Sequence, residues 1–187
     1  MNVQVIDLSK APGAKESWDK PRIVVYLWFI FEYLFVTNSL QISSKIRISV
    51  LRLFGAKIGS NVIFRPRTRV KFPWKLEIGD GTWIGEGVWF HNQDQIKVGS
   101  NVVISQETML TTGSHALRRD MGLITSPIIV ESGVWITSRC LVTGGVTIHT
   151  SAVITPMSVV RKSIGPGEVW GGNPISKTGY RFIENDK

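Results

Sequence analysis

The chain has 187 residues, one cysteine and a formal net charge of +8 at pH 7. This length predicts one domain, and the positive charge favours an anionic partner such as a phosphate-bearing cofactor or a membrane surface. Nucleic acid is not an expected partner, because the basic residues form no long run and the aromatic residues form no stacking platform. A single cysteine excludes an internal disulfide framework and is compatible with the cytoplasm.

The N-terminal part of the chain, before the segment that starts at Ile58, predicts a polar arm followed by two helices. Residues 22–35 (RIVVYLWFIFEYLF) are strongly apolar, whereas residues 1–20 are polar. The uncharged run is too short to span a bilayer, Glu32 interrupts it, and it lacks a signal-peptide cleavage pattern. It therefore predicts a helix that packs on the rest of the fold or on a neighbouring subunit. Alternatively, it lies in the plane of a membrane, because Lys20 and Arg22 flank it.

A second, amphipathic helix is predicted over residues 40–54, ending at Gly55. Its apolar stripe consists of Ile46, Val50, Leu53 and Phe54. The cations that lie mostly on its other face are Lys45, Arg47 and Arg52.

A six-residue rhythm begins at Ile58 and continues through most of the remaining chain. Segments that start at Ile58, Ile78 and Val98 share nearly the same five letters and recur at equal intervals. Downstream, aliphatic residues recur every six positions at Val130, Ile136, Val142, Ile148, Ile154 and Val160. A helix repeats near 3.6 residues and a strand near 2, so a period of six fits neither alone. It predicts a parallel β-helix, in which three hexads close a triangular coil and the aliphatic residues stack inward.

The phase of the hexads also predicts where other side chains point. Cys140 takes the small inward position of its hexad, so we expect a buried structural thiol. In the first coil, several cations alternate with other residues and are expected on one outward face. They are Arg65, Arg67, Arg69 and Lys71. Such a face is either solvated or a docking surface for an anionic substrate or lipid headgroup.

The hexad rhythm breaks off after His115. Residues 116–129 (ALRRDMGLITSPII) do not fit the pattern and predict a loop inserted at a corner, where β-helix insertions frequently form the binding face. If the coils keep the interval that separates Ile78 from Val98, Asn92 lies below Thr112 and Gln95 below His115. The polar corner of the second coil is therefore expected close to the histidine.

Together these pieces resemble the left-handed β-helix, hexapeptide-repeat acyltransferases. The resemblance rests on the hexads, TTGSH before the loop, GVWITSRCLVTGGVTI and SVVRKSIGPGEVWGGNP, and covers roughly residues 45–175. LRLFGAKIG, FPWKLEIGD and TGSH are most similar to the colanic acid biosynthesis acetyltransferase branch, and galactoside and maltose O-acetyltransferases are also similar. The implied fold is all-β: a left-handed parallel β-helix over residues 58–165, with an N-terminal helical extension (1–57) and a C-terminal tail (166–187).

The resemblance implies transfer of an acetyl group from acetyl-CoA to a sugar hydroxyl in exopolysaccharide or O-antigen biosynthesis. It implies a sugar or lipid-linked glycan acceptor, a homotrimer with active sites in the grooves between subunits, and no metal. His115 matches the general base, which takes the hydroxyl proton as the oxygen attacks the thioester. Many relatives have an acidic residue where this chain has Ala116. The group that orients His115 is thus open among Glu107, Asp94, Asp120 and a backbone carbonyl.

Other positions match the family's cofactor site. The candidates for acetyl-CoA are Trp135, Ser138, Gly144, Pro156, Arg161, Lys162, Lys177 and Arg181. The two residues Arg161 and Lys162 are phosphate partners, and Trp135 is either a core residue or a wall of the pantetheine tunnel. The candidates for acceptor contacts are Asn92, Asp94, Arg118 and Arg119.

Two other functions compete with acetyl transfer. A β-helix carbonic anhydrase would bind zinc through His91, His115 and His149, although their spacing along the chain provides no close pair on one coil face. A non-catalytic scaffold or binding protein is favoured only by the missing carboxylate after His115. For the acetyltransferase, the expected location is the cytoplasm, either free or peripheral at the inner membrane.

Overall fold

The computed structural model describes residues 5–13 and 15–182. The chain forms a parallel β-solenoid of about six turns, preceded by two α-helices, which confirms the predicted fold class. Successive strands fall on three sheets, A, B and C, which form the faces of a triangular prism.

Sheet A contains β1 (Lys57–Ile58), β4 (Leu76–Ile78), β7 (Ile96–Val98), β12 (Ile128–Val130) and β15 (Thr147–Ile148). Sheet B contains β2 (Ile63–Phe64), β5 (Trp83–Ile84), β8 (Val103–Ile104), β13 (Trp135–Ile136), β16 (Val153–Ile154), β18 (Glu168–Gly171) and β19 (Ser176–Tyr180). Sheet C contains β3 (Arg69–Val70), β6 (Trp89–His91), β9 (Met109–Thr111), β14 (Leu141–Thr143) and β17 (Val159–Val160). A separate hairpin consists of β10 (Gly113–His115) and β11 (Leu123–Thr125).

Each complete turn contributes at least one inward side chain to each sheet, and equivalent side chains stack on one another. In sheet B this column is formed by Phe64, Ile84, Ile104, Ile136 and Ile154, all fully buried. Short strands suffice because each turn hydrogen-bonds to the turns above and below it, so burial is continuous along the prism. The hexad phase read from the sequence is therefore confirmed.

Two of the three corners are made by residues with left-handed backbone dihedral angles. Between sheets A and B these are Asn61, Gly81, Asn101, Gly133 and Ser151. Between sheets B and C they are Arg67, Gly87, Glu107, Arg139 and Met157. Asparagine and glycine tolerate this conformation best, and they occupy four of the five positions at the first corner.

The third corner, between sheets C and A, is where turns differ in length. Along sheet A, Ile78 pairs with Val98, Val98 with Val130, and Val130 with Ile148, so the second of these turns is much longer than the other two. The chain leaves the stack at Gly113 and rejoins sheet A at Ile128. The insertion was predicted over residues 116–129, but it begins earlier, at Gly113, and ends earlier, before Ile128.

The predicted stacking of Gln95 below His115 was also wrong. The Gln95 carbonyl accepts a hydrogen bond from Ile128 N, so the returning chain takes that place in the stack.

The N-terminal segment packs on the first turn of the solenoid. Helix α1 (Arg22–Phe31) continues into a π-helical turn (Glu32–Thr37), and 3-10 turns occur at Leu8–Lys10, Lys15–Trp18 and Pro73–Lys75. Trp28 is buried in α1 and its Nε1 donates to the Val70 carbonyl, 2.9 Å away. Packing on the fold, one of the two predicted roles of this segment, is thus observed. None of the described helices is long and apolar enough to cross a bilayer.

Helix α2 (Ser44–Leu53) presents a different face to the core from the one its apolar stripe suggests. Its buried residues are Arg47, Ile48 and Leu51, whereas Ile46 and Leu53 of the stripe are exposed. The Arg47 guanidinium is buried because it donates to three backbone carbonyls, those of Val36, Asn38 and Phe64. Its placement on the polar face was therefore wrong.

The cations of the first turn do not form the single outward face that was expected. Arg65 follows β2 of sheet B, whereas Arg69 and Lys71 belong to or follow β3 of sheet C. Arg67 pairs with Glu86 at 2.8 Å across the corner. The cations do alternate with other residues along the chain, but the chain turns from sheet B to sheet C between Arg65 and Arg69, so they point in different directions.

Both the cysteine and the C-terminal tail are integrated into the solenoid. Cys140 is buried, as predicted, and burial raises the pKa of its thiol. Beyond the predicted end of the β-helix at residue 165, β18 pairs in parallel with β16 of sheet B, and β19 folds back on β18.

The stacked column predicts where the solenoid is most sensitive to truncation. Ile104 is fully buried between its equivalents Ile84 and Ile136, so Ile104→Ala should lower the free energy of unfolding by about 2–5 kcal/mol. Ile129→Ala, on the outer face of sheet A, should change it by only about 0.5 kcal/mol. Urea unfolding of both variants checks this. Equal losses of stability would contradict the assignment of Ile104 to the core and Ile129 to the surface.

Candidate active site

The inserted hairpin carries His115 out of the prism. Strands β10 and β11 pair antiparallel, with His115 opposite Leu123, and the His115 side chain is exposed. Its Nδ1 lies 2.8 Å from the backbone carbonyl oxygen of Met121. A carbonyl only accepts hydrogen bonds, so Nδ1 carries the proton in this contact and Nε2 of the neutral ring keeps its lone pair. In this tautomer Nε2 is the ring atom that is free to accept a proton.

Of the four orienting groups left open by the sequence, the structure provides the backbone carbonyl. Glu107 is turned away and pairs with Arg139 at 2.7 Å. Asp94 accepts a hydrogen bond from Gln95 N, and Asp120 accepts one from Gly122 N. Asp120 thus supports the turn that presents the Met121 carbonyl, without contacting the imidazole itself.

The residue after His115 explains why no acidic side chain orients the ring. Ala116 is only 6% exposed, and its N–H donates to the Gly122 carbonyl across the hairpin. Ala116 lines a polar cleft beside the hairpin, and its methyl group offers the imidazole no hydrogen-bond acceptor. The hairpin is held instead by backbone contacts, and Met121 adopts a left-handed φ of 57° that directs its carbonyl to the ring.

A polar cleft of about 460 Å³ lies between the hairpin and the N-terminal arm. Two of the predicted acceptor contacts, Asp94 and Arg119, line it together with Asp19, Asp120 and Lys75. Arg118 is exposed on the turn and does not line this cleft.

Asn92, the fourth predicted acceptor contact, is not placed where an acceptor could reach it. Its side chain is fully buried and its amide is engaged on both sides. Oδ1 accepts from Phe72 N at 3.0 Å and Nδ2 donates to Phe72 O at 2.6 Å. Asn92 therefore holds two turns of the solenoid together.

Sequence reasoning missed the residues that attach the arm to this cleft. The Lys75 ammonium is nearly buried and contacts Asp19 Oδ2 at 2.8 Å, and the carbonyls of Ser17 and Gln93 at 2.6 Å. A single cation thus joins the arm, the first turn and the corner below the hairpin. No local pattern signals this contact, because 58 residues separate Lys75 from Ser17.

Six of the eight predicted cofactor residues fall into two groups on different parts of the prism surface. Trp135 lies on the outer face of sheet B, 44% exposed, and donates from Nε1 to Ser105 Oγ at 3.0 Å. It is therefore not a core residue, which was one of its two predicted roles. Ser138 and Pro156 follow it at the corner of sheets B and C, where the Ser138 carbonyl accepts from Met157 N.

The second group lies at the corner of sheets C and A, the same edge as the hairpin. A Cβ on Gly144 would lie 2.7 Å from the Ser126 carbonyl oxygen, so only glycine fits where the insertion rejoins the stack. Arg161 is exposed just after β17, and the Lys162 ammonium lies 4.4 Å from the centre of the Trp170 ring.

The last two cofactor candidates already have partners within the chain. Lys177 pairs with Glu168 at 2.7 Å, which raises the pKa of the lysine. Arg181 donates to the carbonyl of Gly133 at 2.6 Å. Both residues attach the C-terminal strands to the solenoid, and this weakens their assignment as phosphate ligands.

The three histidines do not converge within the chain. His91 Nδ1 contacts Thr111 Oγ1 at 3.0 Å, and His149 Nδ1 contacts Glu131 Oε1 at 2.9 Å. Across residues 5–13 and 15–182, no group of three or more metal-ligating side chains is present. A shallow groove of about 870 Å³ along the outer face of sheet A includes none of the predicted site residues.

Comparison with known proteins identifies relatives along most of the chain, although no protein-family model matches it. The Escherichia coli K12 protein described as "Putative colanic acid biosynthesis acetyltransferase WcaF" is 37% identical over 153 residues, covering 81% of this chain and 84% of the relative. Galactoside O-acetyltransferase of the same organism is 29% identical over 132 residues, covering 68% and 65%.

Solved structures show the same solenoid. A hexapeptide-repeat containing acetyltransferase from Vibrio cholerae, complexed with acetyl coenzyme A, superposes with a TM-score of 0.76 at 26% identity, covering 87% of each chain. Galactoside acetyltransferase in complex with coenzyme A superposes with a TM-score of 0.74 at 22% identity, covering 91% and 83%, and supports the fold alone. The identity over most of both chains, on this shared solenoid, shows that the chain belongs to the hexapeptide-repeat acetyltransferases.

Proposed function

We propose that this protein transfers an acetyl group from acetyl-CoA to a sugar hydroxyl in surface-polysaccharide biosynthesis, with His115 as the general base. The observation that carries the proposal is the contact of His115 Nδ1 with the Met121 carbonyl, which leaves Nε2 of the exposed ring available. The colanic acid relative supports a polysaccharide acceptor, and the Vibrio structure supports the acyl donor.

The chemistry requires one proton shuttle and one carbonyl addition. His115 Nε2 takes the proton of the acceptor hydroxyl while its oxygen attacks the thioester carbonyl carbon. The tetrahedral intermediate collapses as the carbon–sulfur bond breaks, and the imidazolium returns the proton to the departing thiolate. The Nδ1 hydrogen bond to Met121 persists throughout, so it favours the positively charged ring that forms in the transition state.

The outer face of sheet B suits the apolar arm of the donor. Its outward row contains Ile63, Trp83, Val103, Trp135 and Val153, an apolar strip that a pantetheine chain could cover. Arg161 and Lys162 are the better phosphate partners, since Lys177 and Arg181 are engaged inside the chain.

The positions of these groups favour an active site shared between subunits. His115 leaves the prism at the corner of sheets C and A, which is opposite the face formed by sheet B and Trp135. One chain thus presents the base at one edge and the apolar strip on the opposite face. A cyclic homotrimer would bring the edge of one copy against the strip of the next, and such a contact closes on rotation.

The polar cleft beside the hairpin is suited to a sugar. Its carboxylates from Asp19, Asp94 and Asp120, with the guanidinium of Arg119, offer acceptors and donors for several hydroxyl groups. The acceptor is accordingly a sugar or a lipid-linked glycan. Because acetyl-CoA is the donor, the reaction belongs in the cytoplasm.

Removal of the base is the first test. His115→Ala should reduce the rate of thiol release from acetyl-CoA, with a glycan acceptor present, by at least about 10²-fold. His149→Ala is the matched control, because that ring pairs with Glu131 elsewhere on the prism, and it should retain the wild-type rate. Equal rates for wild type and His115→Ala would favour the non-catalytic scaffold.

The orienting carbonyl can be displaced through the backbone. Met121→Pro should approach the His115→Ala rate, because proline fixes φ near −65° and cannot keep the observed 57°. Met121→Gly, which adopts a positive φ freely, should retain most of the wild-type kcat. Steady-state kinetics of the two variants would separate orientation of the ring from loss of the methionine side chain.

A shared site predicts complementation between two inactive variants. His115→Ala and Trp135→Asp should each be inactive alone, the latter because a carboxylate enters the apolar strip. Coexpressed at equal levels, about a quarter of the interfaces in random trimers would combine an intact histidine with an intact tryptophan. Recovery of activity in the mixed trimers supports a site shared between subunits. If a confirmed mixed trimer stays inactive, His115 and Trp135 of the same subunit form the site.

A further inference from the structure

Helix α1 and its π-helical continuation leave a large apolar face exposed. Its apolar side chains recur at spacings of three and four residues, which places them on one side of the helix. The exposed residues, here called the α1 face, are Ile23, Tyr26, Leu27, Ile30, Tyr33 and Leu34. Their exposed fractions run from 42% at Leu27 to 75% at Tyr33, while Val25 and Trp28 anchor the other side. A contiguous apolar face of this kind usually marks an interaction surface.

The segment that follows α1 also has exposed aliphatic side chains. Leu40 and Ile42, between the π-helical turn and α2, are 87% and 84% exposed. Ile46 and Leu53 of α2 are also exposed, because that helix buries Arg47, Ile48 and Leu51 instead. The N-terminal segment therefore exposes many of its largest aliphatic side chains.

Exposed cations lie at the starts of the two N-terminal helices. Lys20 and Arg22 lie at the start of α1 and Lys45 at the start of α2, all exposed. None of these three forms an ion pair with a carboxylate in residues 5–13 and 15–182. Arg22 and Lys45 also occupy first helical turns, where the helix dipole disfavours a cation. Their placement is thus not explained by helix stability.

Two carboxylates lie close to these cations in the sequence: Asp19 pairs with Lys75 at 2.8 Å, and Glu32 is directed into the fold. Glu32 Oε1 accepts a hydrogen bond from Val70 N at 2.7 Å, and burial raises the pKa of the group. It therefore adds little negative charge to the surface of the segment. The exposed side of α1 combines apolar side chains with a cationic edge.

We propose that the α1 face docks on the surface of an anionic lipid bilayer, with α1 lying in the plane of the interface. Aliphatic and tyrosine side chains would enter the boundary between headgroups and acyl chains, and the three cations would contact lipid phosphates. The ten residues of α1 and the six of its π-helical continuation together span at most about 24 Å, less than a hydrocarbon core of roughly 30 Å, so the helix lies on the bilayer and does not cross it.

A second copy of the chain is the competing occupant, and the charges argue against it. In a contact between two copies through the α1 face, the cations of each copy would find no free carboxylate among the described residues near it, because Asp19 and Glu32 are engaged within the chain. An anionic bilayer instead supplies the opposite charge along the whole edge. The inference is independent of the proposed acetyl transfer, since it concerns only binding to lipid.

The test is sedimentation of the full chain with vesicles of phosphatidylcholine alone or mixed with phosphatidylglycerol. Wild type should sediment with the mixed vesicles, and less so as salt is raised. The double variant Ile23→Glu/Ile30→Glu should bind at least about 100-fold more weakly, because two aliphatic side chains are lost from the contact. Ile129→Glu, an exposed aliphatic site on sheet A, is the matched control and should bind as wild type.

A second variant separates charge from apolar contact. Lys20→Gln/Arg22→Gln/Lys45→Gln should lose about 100-fold in affinity for the mixed vesicles and leave binding to pure phosphatidylcholine unchanged. The proposal is overturned if wild type stays in the supernatant with the mixed vesicles, or if the Ile23→Glu/Ile30→Glu variant sediments like wild type. It is also overturned if that variant lowers the lipid-free mass measured by light scattering, since the α1 face is then a subunit contact.

Discussion

The stacking of each turn on the next is the constraint on which the rest of the structure depends. Strands of two or three residues can neither satisfy their own backbone groups nor bury their side chains. The ladder of Ile63 N to Thr82 O, Trp83 N to Val102 O and Val103 N to Val134 O, at 2.8–3.0 Å, continues through sheet B. Because the ladder fixes register, one inward residue per hexad is enough to generate a continuous core.

The same constraint decides where chemistry can be placed. The corners between sheets A and B and between B and C are tight, with left-handed residues in every complete turn and close contacts between successive corners. At the corner between sheets C and A the left-handed residues are Met121 and Gly145, and turns of clearly different length are tolerated there. The hairpin with His115 occupies the one corner where extra chain does not interrupt the stack.

The two ends of the solenoid are covered in different ways. At the N-terminal end, Trp28 of α1 and Arg47 of α2 donate to carbonyls of the first turn, so the helices satisfy groups that no earlier turn could pair. At the other end, β18 and β19 continue sheet B and are held by Lys177 and Arg181. The first arrangement leaves an apolar helix face exposed, and the second leaves mainly polar strands.

Much of the molecule follows from the sequence alone. A period of six can be satisfied only by stacked hexads, so the inward residues, the buried Cys140 and a histidine beside an inserted loop could be read directly. The contacts that complete the site could not be read, because they join distant segments or use backbone atoms. Met121 contributes a carbonyl that every residue possesses, and Lys75 reaches Ser17 across 58 residues. The buried side of α2 was decided by Arg47, whose partners are carbonyls of the π-helical turn and the first coil, and only the tertiary structure brings them to its guanidinium.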